Sequence, residues 1–425
     1  MKFKKALVAS LVSGLAMSSA YAQNANEVNI GIVTFLSGPA ASPFGVPARN
    51  AAELLIQQFN DGTAPAPYNQ KGFGGLPVKW TLIDEAGSST SVVTEFRNLV
   101  QRDKVDLVVG YISSGNCLAI APVAEELKTV TFLFDCGTPR IFEDGKKDYV
   151  FRAVNHATAD SVGAARYLKA TKPDIKNFSG INQNYAWGQD SWNDFQGAMK
   201  QLYPGIEVKT SQMPKVFAGQ YSAEISALLA SKSDVVHTSF WGGDLEAFIL
   251  QSAPRGLYKN SNVVLVAGET AMYRLKDRIP DGTIIGARGP YGVLAPDTPI
   301  NRWFQKSFAA RYEVPPNYTA YQMANSILAA KLGFEKAMAA NGGKKPNSDQ
   351  IAAAIRGMEY EGPGGVHKFT LGNGHQAVSE IAYGRTKLVN GEMTIVDVLR
   401  FPAEQVMPPE GVKSVDWIAG GMKSK

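Results

Sequence analysis

Short runs of β-branched and other apolar residues alternate with longer segments of helical period along most of this 425-residue chain. The runs include VNIGIV, VKWTLI, VDLVVG and VTFLF in the first part, and FSGIN, DVVHTSF and NVVLVAG further on. Near-continuous apolar strands that alternate with helices are typical of parallel sheets covered by helices on both faces. The sequence therefore predicts an α/β fold of the doubly wound, Rossmann-like type.

The predicted strands are too many for one sheet of ordinary size, so we expect two lobes. The rhythm breaks first near Asn155, within DYVFRAVNHATAD, and again within GARGPYGV. These two breaks and a further boundary after residue 357 divide the chain into four segments. Three crossovers join the segments into two lobes. The first lobe takes residues 23–155 plus 289–357, and the second takes residues 156–288 plus 358–425.

The first residues have the composition of an export signal. MKFKKALVASLVSGLAMSSAYAQ combines three lysines, an apolar stretch too short to span a bilayer, and a small-x-small site that ends at Ala22. We expect a signal peptide over residues 1–22, cut after Ala22, and a periplasmic mature chain. Its removal brings the 43 Lys and Arg closer to the 38 Asp and Glu, and no basic stripe suggests nucleic acid.

The chain has two cysteines, Cys117 and Cys136, each shortly after a predicted strand. An even number of cysteines in an oxidising compartment favours pairing. We expect a disulfide between these two residues, and the alternative is two buried free thiols.

Ligands of open α/β sheets bind beyond the carboxyl ends of the strands. After VDLVVG the sequence YISSGNC places Ser114 just before a helix, and after VTFLF the sequence DCGTPRI supplies Gly137 and Thr138. Hydroxyls and free N–H groups at a helix start favour an anion. Alone, the first loop is better explained by helix capping at Ser114 or Asn116, and the second is also consistent with a strand-to-helix turn. On adjacent parallel strands the two loops would lie side by side and could hold one carboxylate.

The strand ends of the second half carry aromatic side chains. Tyr185 and Trp187 precede one helix and Trp241 follows a strand, beside glycines that make poor core positions. Glu269 follows another apolar strand, where a carboxylate indicates a cation. An anion shelf opposite aromatic walls and a carboxylate fits a zwitterion with an apolar side chain.

Three longer stretches, GIVTFLSGPAASPFG, NYAWGQD and YEGPGGVHKFTLGNGHQ, occur in this order. With the strand-end loops they resemble the periplasmic leucine/isoleucine/valine-binding proteins of ABC importers. That family binds branched-chain amino acids and has a two-lobed, type I periplasmic-binding fold with the ligand in the cleft. The resemblance runs over essentially the whole mature chain.

The resemblance implies roles for individual residues. Ser114 and Thr138 would bind the ligand carboxylate, Cys136 would offer its backbone carbonyl to the ammonium, and Glu269 would be the counter-ion of that ammonium. Four aromatic residues would contact the ligand, two of them tryptophans where tyrosines are common in the family. They are Phe44, Tyr185, Trp187 and Trp241.

The resemblance also implies the biological setting: a monomer that needs no cofactor or metal, captures an apolar amino acid and delivers it to an inner-membrane permease and its ATPase. Related proteins take aromatic carboxylates, amides or urea, and a membrane sensor is an alternative client to the permease. A thiol-dependent hydrolase built on Cys136 is the alternative from another class. The sequence has no G-x-S-x-G, H-E-x-x-H or P-loop motif, and its four histidines are scattered.

Overall fold

The computed structural model describes residues 26–423. The predicted signal peptide and its cleavage site after Ala22 lie outside these described residues. Within them the chain forms two lobes on separate, mainly parallel sheets, which is the α/β architecture predicted from the sequence. No described helix is long and apolar enough to span a membrane.

The first lobe begins with a five-stranded parallel sheet in the order β2-β1-β3-β4-β5. These strands are almost fully buried except for β2 at the edge, because helices cover both faces. The strands are β1 Val28–Thr34, β2 Val78–Asp84, β3 Leu107–Gly110, β4 Thr131–Leu133 and β5 Val150–Phe151. The helices between them are α1 Val46–Asp61, α2 Ser89–Gln101, α3 Ser114–Glu126 and α4 Arg140–Glu143.

The second lobe repeats the pattern of strand and helix. Its helices are α5 Ala157–Thr171, α6 Ala186–Leu202, α7 Ser222–Ser231, α8 Gly242–Ser252, α9 Leu257–Asn260 and α10 Glu269–Leu275. Its parallel strands are β6 Asn177–Ile181, β7 Glu207–Gln212, β8 Val235–Thr238, β9 Asn262–Leu265 and β10 Ile284–Gly286.

After β10 the chain returns to the first lobe. There it forms α11 Pro299–Tyr312, α12 Tyr318–Ala340 and α13 Ser348–Ile355, of which α12 is buried on nearly all sides. A small antiparallel sheet follows, with β11 Glu359–Gly362, β12 Gly365–Leu371 and β13 Gln376–Val378.

The last crossing leads back to the second lobe. Strands β14 Ile381–Val389 and β15 Glu392–Phe401 form a hairpin that completes a seven-stranded sheet in the order β15-β14-β10-β9-β8-β6-β7. The turn uses Asn390 and Gly391, both at positive φ, as the Asn-Gly pair predicts. The helices α14 Ala403–Val406 and α15 Ser414–Ala419 end the described chain.

The third lobe boundary differs from the predicted division, which assigned residues 358–425 to the second lobe. The sheet β11–β13 packs on the first lobe, where the ring of Phe369 lies 6.4 Å from that of Phe132 and 6.0 Å from that of Phe151. We therefore propose that the third crossing lies near Ser379, with the first two near the predicted positions.

Candidate functional site

Strands β3 and β4 are parallel neighbours, so the loops that follow them lie side by side, as expected from the sequence. We call residues 135–138 the shelf loop. The backbone N–H groups of Gly137 and Thr138 donate to Ser114 Oγ over 3.1 and 3.2 Å. Because Ser114 Oγ accepts both bonds, its own hydroxyl proton remains available to a ligand.

The shelf loop is linked to α3 by a disulfide between Cys117 and Cys136, both fully buried. The expected pairing is therefore present, and the alternative of two free thiols is not. Cys136 consequently offers no thiolate for the hydrolase alternative, and no histidine is among the residues that line the cavity described below.

The N-terminus of α3 already holds a carboxyl group of the protein itself. The N–H groups of Ile112 and Ser113 each donate to Glu85 over 2.8 Å, and the Asn116 amide donates to it over 3.1 Å. Burial raises the pKa of Glu85 to about 8, although these hydrogen bonds oppose the shift. Glu85 therefore already uses the N–H groups of one of the two loops that were predicted to form the anion shelf. The sequence reading missed this role of Glu85, although the residue directly follows β2.

A small cavity of about 10 Å³ lies where the two lobes and the second crossing meet, so a ligand larger than a water molecule enters only if the lobes separate. It brings together five of the residues predicted from the sequence, namely Ser114, Phe44, Tyr185, Trp187 and Trp241. Aromatic rings form most of its wall, and Phe44 packs edge-on against Trp241 and Tyr318 at centroid distances of 5.3 and 5.4 Å. The remaining lining residues are Ile112, Asp135, Gly137, Arg288 and Tyr318.

Arg288 is the cation of this cavity, and the sequence reading did not single it out. It lies in the second crossing, directly after β10, and is 4% exposed. Its guanidinium bonds to the carbonyl and the carboxylate of Asp135, and its Nε donates to Asp160 Oδ2 over 3.3 Å. It also stacks on the indole of Trp187, with Cζ 4.3 Å from the ring centroid.

Three buried polar atoms of the cavity-lining residues have no hydrogen-bond partner among the described residues. They are Nη2 of Arg288 and Nε1 of Trp241, both donors, and Oδ2 of Asp135, an acceptor. Oδ1 of Asp160, beside Arg288, is also without a partner. Burial raises the pKa of Asp135 to about 6, against the opposing effect of Arg288. Because an unpaired buried polar group costs about 1–3 kcal/mol, a ligand that supplies the missing partners recovers that cost.

Two atoms that the family resemblance assigned to the ligand are engaged elsewhere. The carbonyl of Cys136 accepts from Nη1 of the buried Arg152 over 2.7 Å. The hydroxyl of Thr138 donates to Asp190 Oδ2 over 2.6 Å. Of Thr138, therefore, only the N–H group contributes to the shelf.

Glu269 is not among the residues that line this cavity, and its expected role as ammonium counter-ion stays a prediction. Glu269 is the first residue of α10, and its Oε2 accepts from the N–H of Tyr318 at the start of α12 over 2.8 Å. It lines a different cavity, together with Met272 and Val293. Burial raises the pKa of Glu269 to about 7, although hydrogen bonds from the backbone N–H groups of Tyr318 and Val293 oppose the shift.

The lobes are in direct contact around the cavity. We call Thr138, Arg140 and Asp190 the interlobe latch, because Asp190 of α6 accepts from the Thr138 hydroxyl and, over 3.0 Å, from Arg140 Nε. On another side the N–H of Gly243 donates to the carbonyl of Pro39 over 2.9 Å. These contacts hold both lobes against one enclosed site.

A family model described as a periplasmic binding protein matches residues 27–391. The chain belongs to the periplasmic binding protein family. This periplasmic binding protein is 24% identical over 380 residues to Leu/Ile/Val-binding protein homolog 4 of Brucella melitensis, an alignment that covers 86% of this chain and 85% of the relative. The two-lobed fold is therefore that of a solute-binding protein.

Solved structures share the fold of this periplasmic binding protein. One is the solute-binding protein of an ABC transporter from Rhodopseudomonas palustris in complex with 3,4-dihydroxybenzoic acid, with a TM-score of 0.77 and 21% identity over 89% of this chain and 98% of that one. Another is the leucine-binding protein LivK from Thermotoga maritima, with a TM-score of 0.70 and 16% identity over 88% and 98%.

Proposed function

We propose that this periplasmic binding protein captures a small zwitterion with an apolar or aromatic side chain and delivers it to the permease of an ABC importer. The observation that carries the proposal is that the unpartnered, buried atoms of the cavity-lining residues include two charged ones, Arg288 Nη2 and Asp135 Oδ2. One is a charged donor and the other a charged acceptor. An α-amino acid supplies the complement of both within one small group.

The charges around Arg288 favour a zwitterion over an anion or a cation. Arg288 already faces two carboxyl groups, Asp135 and Asp160. A plain anion would bring a third negative group beside Asp135, and a plain cation would face the guanidinium at close range. In a zwitterion the carboxylate would face Arg288 and Ser114, and the ammonium would face Asp135.

The expected energy of these contacts suits reversible capture. Hydrogen bonds to charged groups contribute about 1.5–3 kcal/mol each, so three or four give micromolar or better binding after ordering costs. The remaining wall is made of aromatic rings, which bury an aliphatic or aromatic side chain without hydrogen-bond partners. The curated relatives named as Leu/Ile/Val-binding homologues support this class of ligand.

An aromatic carboxylate is the second candidate. The stack of Arg288 on Trp187 forms a flat wall suited to a ring, and a phenolic hydroxyl would donate to Asp135 Oδ2. Structural neighbours are described in complex with benzoate and with 4-hydroxybenzoate, which supports this alternative.

The ligand class is tested by thermal shifts of the mature chain against twenty amino acids, urea, short amides, benzoate and 4-hydroxybenzoate. A ligand present at about 1,000 times its Kd stabilises the folded protein by about 4 kcal/mol, which is a readily measured shift. We expect shifts with apolar amino acids. Shifts confined to aromatic acids would select the second candidate, and shifts confined to amides or urea would contradict both.

We further propose that the chain is exported with cleavage after Ala22 and acts as a monomer. Its client in this proposal is a permease with its ATPase, and neighbouring genes for a membrane sensor instead would contradict that assignment. The proposal needs no cofactor and no catalytic residue.

A further inference from the structure

Every carbonyl of the shelf loop accepts a hydrogen bond from within the protein. The carbonyls of Cys136 and Thr138 both accept from Arg152 Nη1, over 2.7 and 2.8 Å. The carbonyl of Asp135 accepts from Arg288, and that of Gly137 accepts from an N–H at the start of α5. All four carbonyls of the loop are therefore engaged, two of them by one buried guanidinium.

Arg152 is fixed by a segment that is distant in sequence. It directly follows β5, is fully buried, and forms a parallel bridge with Gln376 of β13. Its Nε donates to Gln376 Oε1 over 2.5 Å, and its guanidinium lies 5.3 Å from the ring centroid of Phe142. Burial lowers the pKa of Arg152 to about 9, so it remains charged at neutral pH.

One peptide group connects this charge to the cavity. The carbonyl of Cys136 and the N–H of Gly137 belong to the same peptide unit, and that N–H donates to Ser114 Oγ in the cavity. A cation on the carbonyl end of a peptide polarises its N–H end, and consecutive hydrogen bonds strengthen one another. The Ser114 hydroxyl, at the end of this chain, becomes a stronger donor to an anion.

We propose that Arg152 is a positioning residue that determines the preference of the site for a carboxylate, although it does not line the cavity. It acts by fixing the carbonyls of Cys136 and Thr138 and by polarising the peptide whose N–H group donates to Ser114. The inference rests on the proposed function, because it assumes that the ligand carboxylate lies at Ser114 and Arg288.

The test compares two ligands that differ only in the carboxylate. Affinities of leucine and leucinamide are measured by calorimetry for the wild type, Arg152→Gln and Arg152→Lys. If the thermal-shift panel selects an aromatic acid, the pair is benzoate and benzamide. We expect Arg152→Gln to weaken binding of the carboxylate ligand about tenfold or more and that of the amide less than about twofold. Arg152→Lys keeps a cation beside the two carbonyls and is expected to preserve most of the preference.

Two further variants keep the test decisive. Gln376→Ala removes the acceptor that orients Arg152 but keeps the guanidinium. The preference for the carboxylate ligand over the amide should therefore fall by a smaller factor than in Arg152→Gln. This variant tests the proposal even if Arg152→Gln does not fold. Phe142→Leu removes only the aromatic contact and is the matched control, which should leave the preference unchanged.

Equal losses for both ligands in the folded Arg152 and Gln376 variants, or no loss in either, would overturn the role of Arg152 while leaving the proposed function intact. A wild-type protein that binds leucine no better than leucinamide, and benzoate no better than benzamide, would overturn the carboxylate orientation and this assignment together.

Discussion

At the scale of single residues, the charged groups that line the cavity are Asp135 and Arg288, and the family resemblance singled out neither of them. The buried anion beside the shelf is Asp135, the first residue of the shelf loop, and not Glu269. The buried cation is Arg288, which joins Asp135 of one lobe to Asp160 of the other. A ligand between Asp135 and Arg288 therefore contacts the residue that connects the lobes.

Gly137 is a cavity-lining residue at which added volume is poorly tolerated. A Cβ atom there would lie 2.2 Å from the Trp187 ring and 2.6 Å from Arg288 Nη2. We predict that Gly137→Ala weakens ligand binding about 100-fold or more, because the indole and the guanidinium cannot both keep their places. Isothermal calorimetry with the ligand selected by the thermal-shift panel measures the effect.

The matched control is Gly115→Ala in the first turn of α3. A Cβ atom at Gly115 has its nearest contact at 3.7 Å, the hydroxyl of Ser113. This variant should bind as the wild type does. Gly137→Ala protein that folds and retains wild-type affinity would show that the cavity is not the binding site.

At the scale of elements, the interlobe latch links the loop before α4 to helix α6. Burial raises the pKa of Asp190, and its hydrogen bonds to Thr138 and Arg140 oppose the shift. Its carboxylate is 9% exposed, whereas the Arg140 side chain is 40% exposed, so solvent screens the ion pair and its contribution is modest. The buried hydrogen bond to Thr138 is the stronger of the two contacts.

We predict that Asp190→Ala speeds ligand release and weakens affinity by about threefold to tenfold, because the closed arrangement loses an interlobe hydrogen bond and an ion pair. Stopped-flow tryptophan fluorescence reports the release rate, since Trp187 and Trp241 line the cavity. The control is Glu207→Gln, which removes an exposed ion pair with Lys209 on edge strand β7. An unchanged release rate in Asp190→Ala would contradict the latch.

At the scale of the whole molecule, the site exists only where the two lobes and a crossing meet. Phe44 and the shelf loop belong to the first lobe, Trp187 and Trp241 to the second, and Arg288 to the second crossing. Neither lobe alone encloses the cavity. In the proposed function, ligand capture therefore requires both lobes in contact. Hinge motion at the crossings would admit and release the ligand.

The sequence predicted the alternation of strands and helices and the parallel sheets, because apolar runs of β-branched residues indicate buried parallel strands directly. It also placed the aromatic walls, since they sit at strand ends beside glycines. It missed Arg152 and Arg288, whose roles depend on contacts with residues far along the chain, such as Gln376 and Asp160. It also could not show that Glu269 lines a different cavity from Ser114, because a strand end does not reveal which way a side chain turns.

The most direct test of the zwitterion proposal is the affinity for leucine of the wild type and of Asp135→Asn between pH 8 and pH 5. Burial raises the pKa of Asp135 to about 6, and an ammonium beside it lowers that pKa on binding. Binding then depends on ionised Asp135. Asp160, whose pKa burial raises to about 7, titrates in both proteins. Comparison with the variant therefore isolates the contribution of Asp135.

We predict that at pH 8 the wild type binds leucine at least about tenfold more tightly than Asp135→Asn does, and that this advantage disappears as the pH falls through 6. Above pH 6 the advantage should be constant, since Asp135 is then ionised in the free protein. A variant that binds as tightly as the wild type at pH 8, or a wild-type advantage that grows as the pH falls, would contradict an ammonium at Asp135.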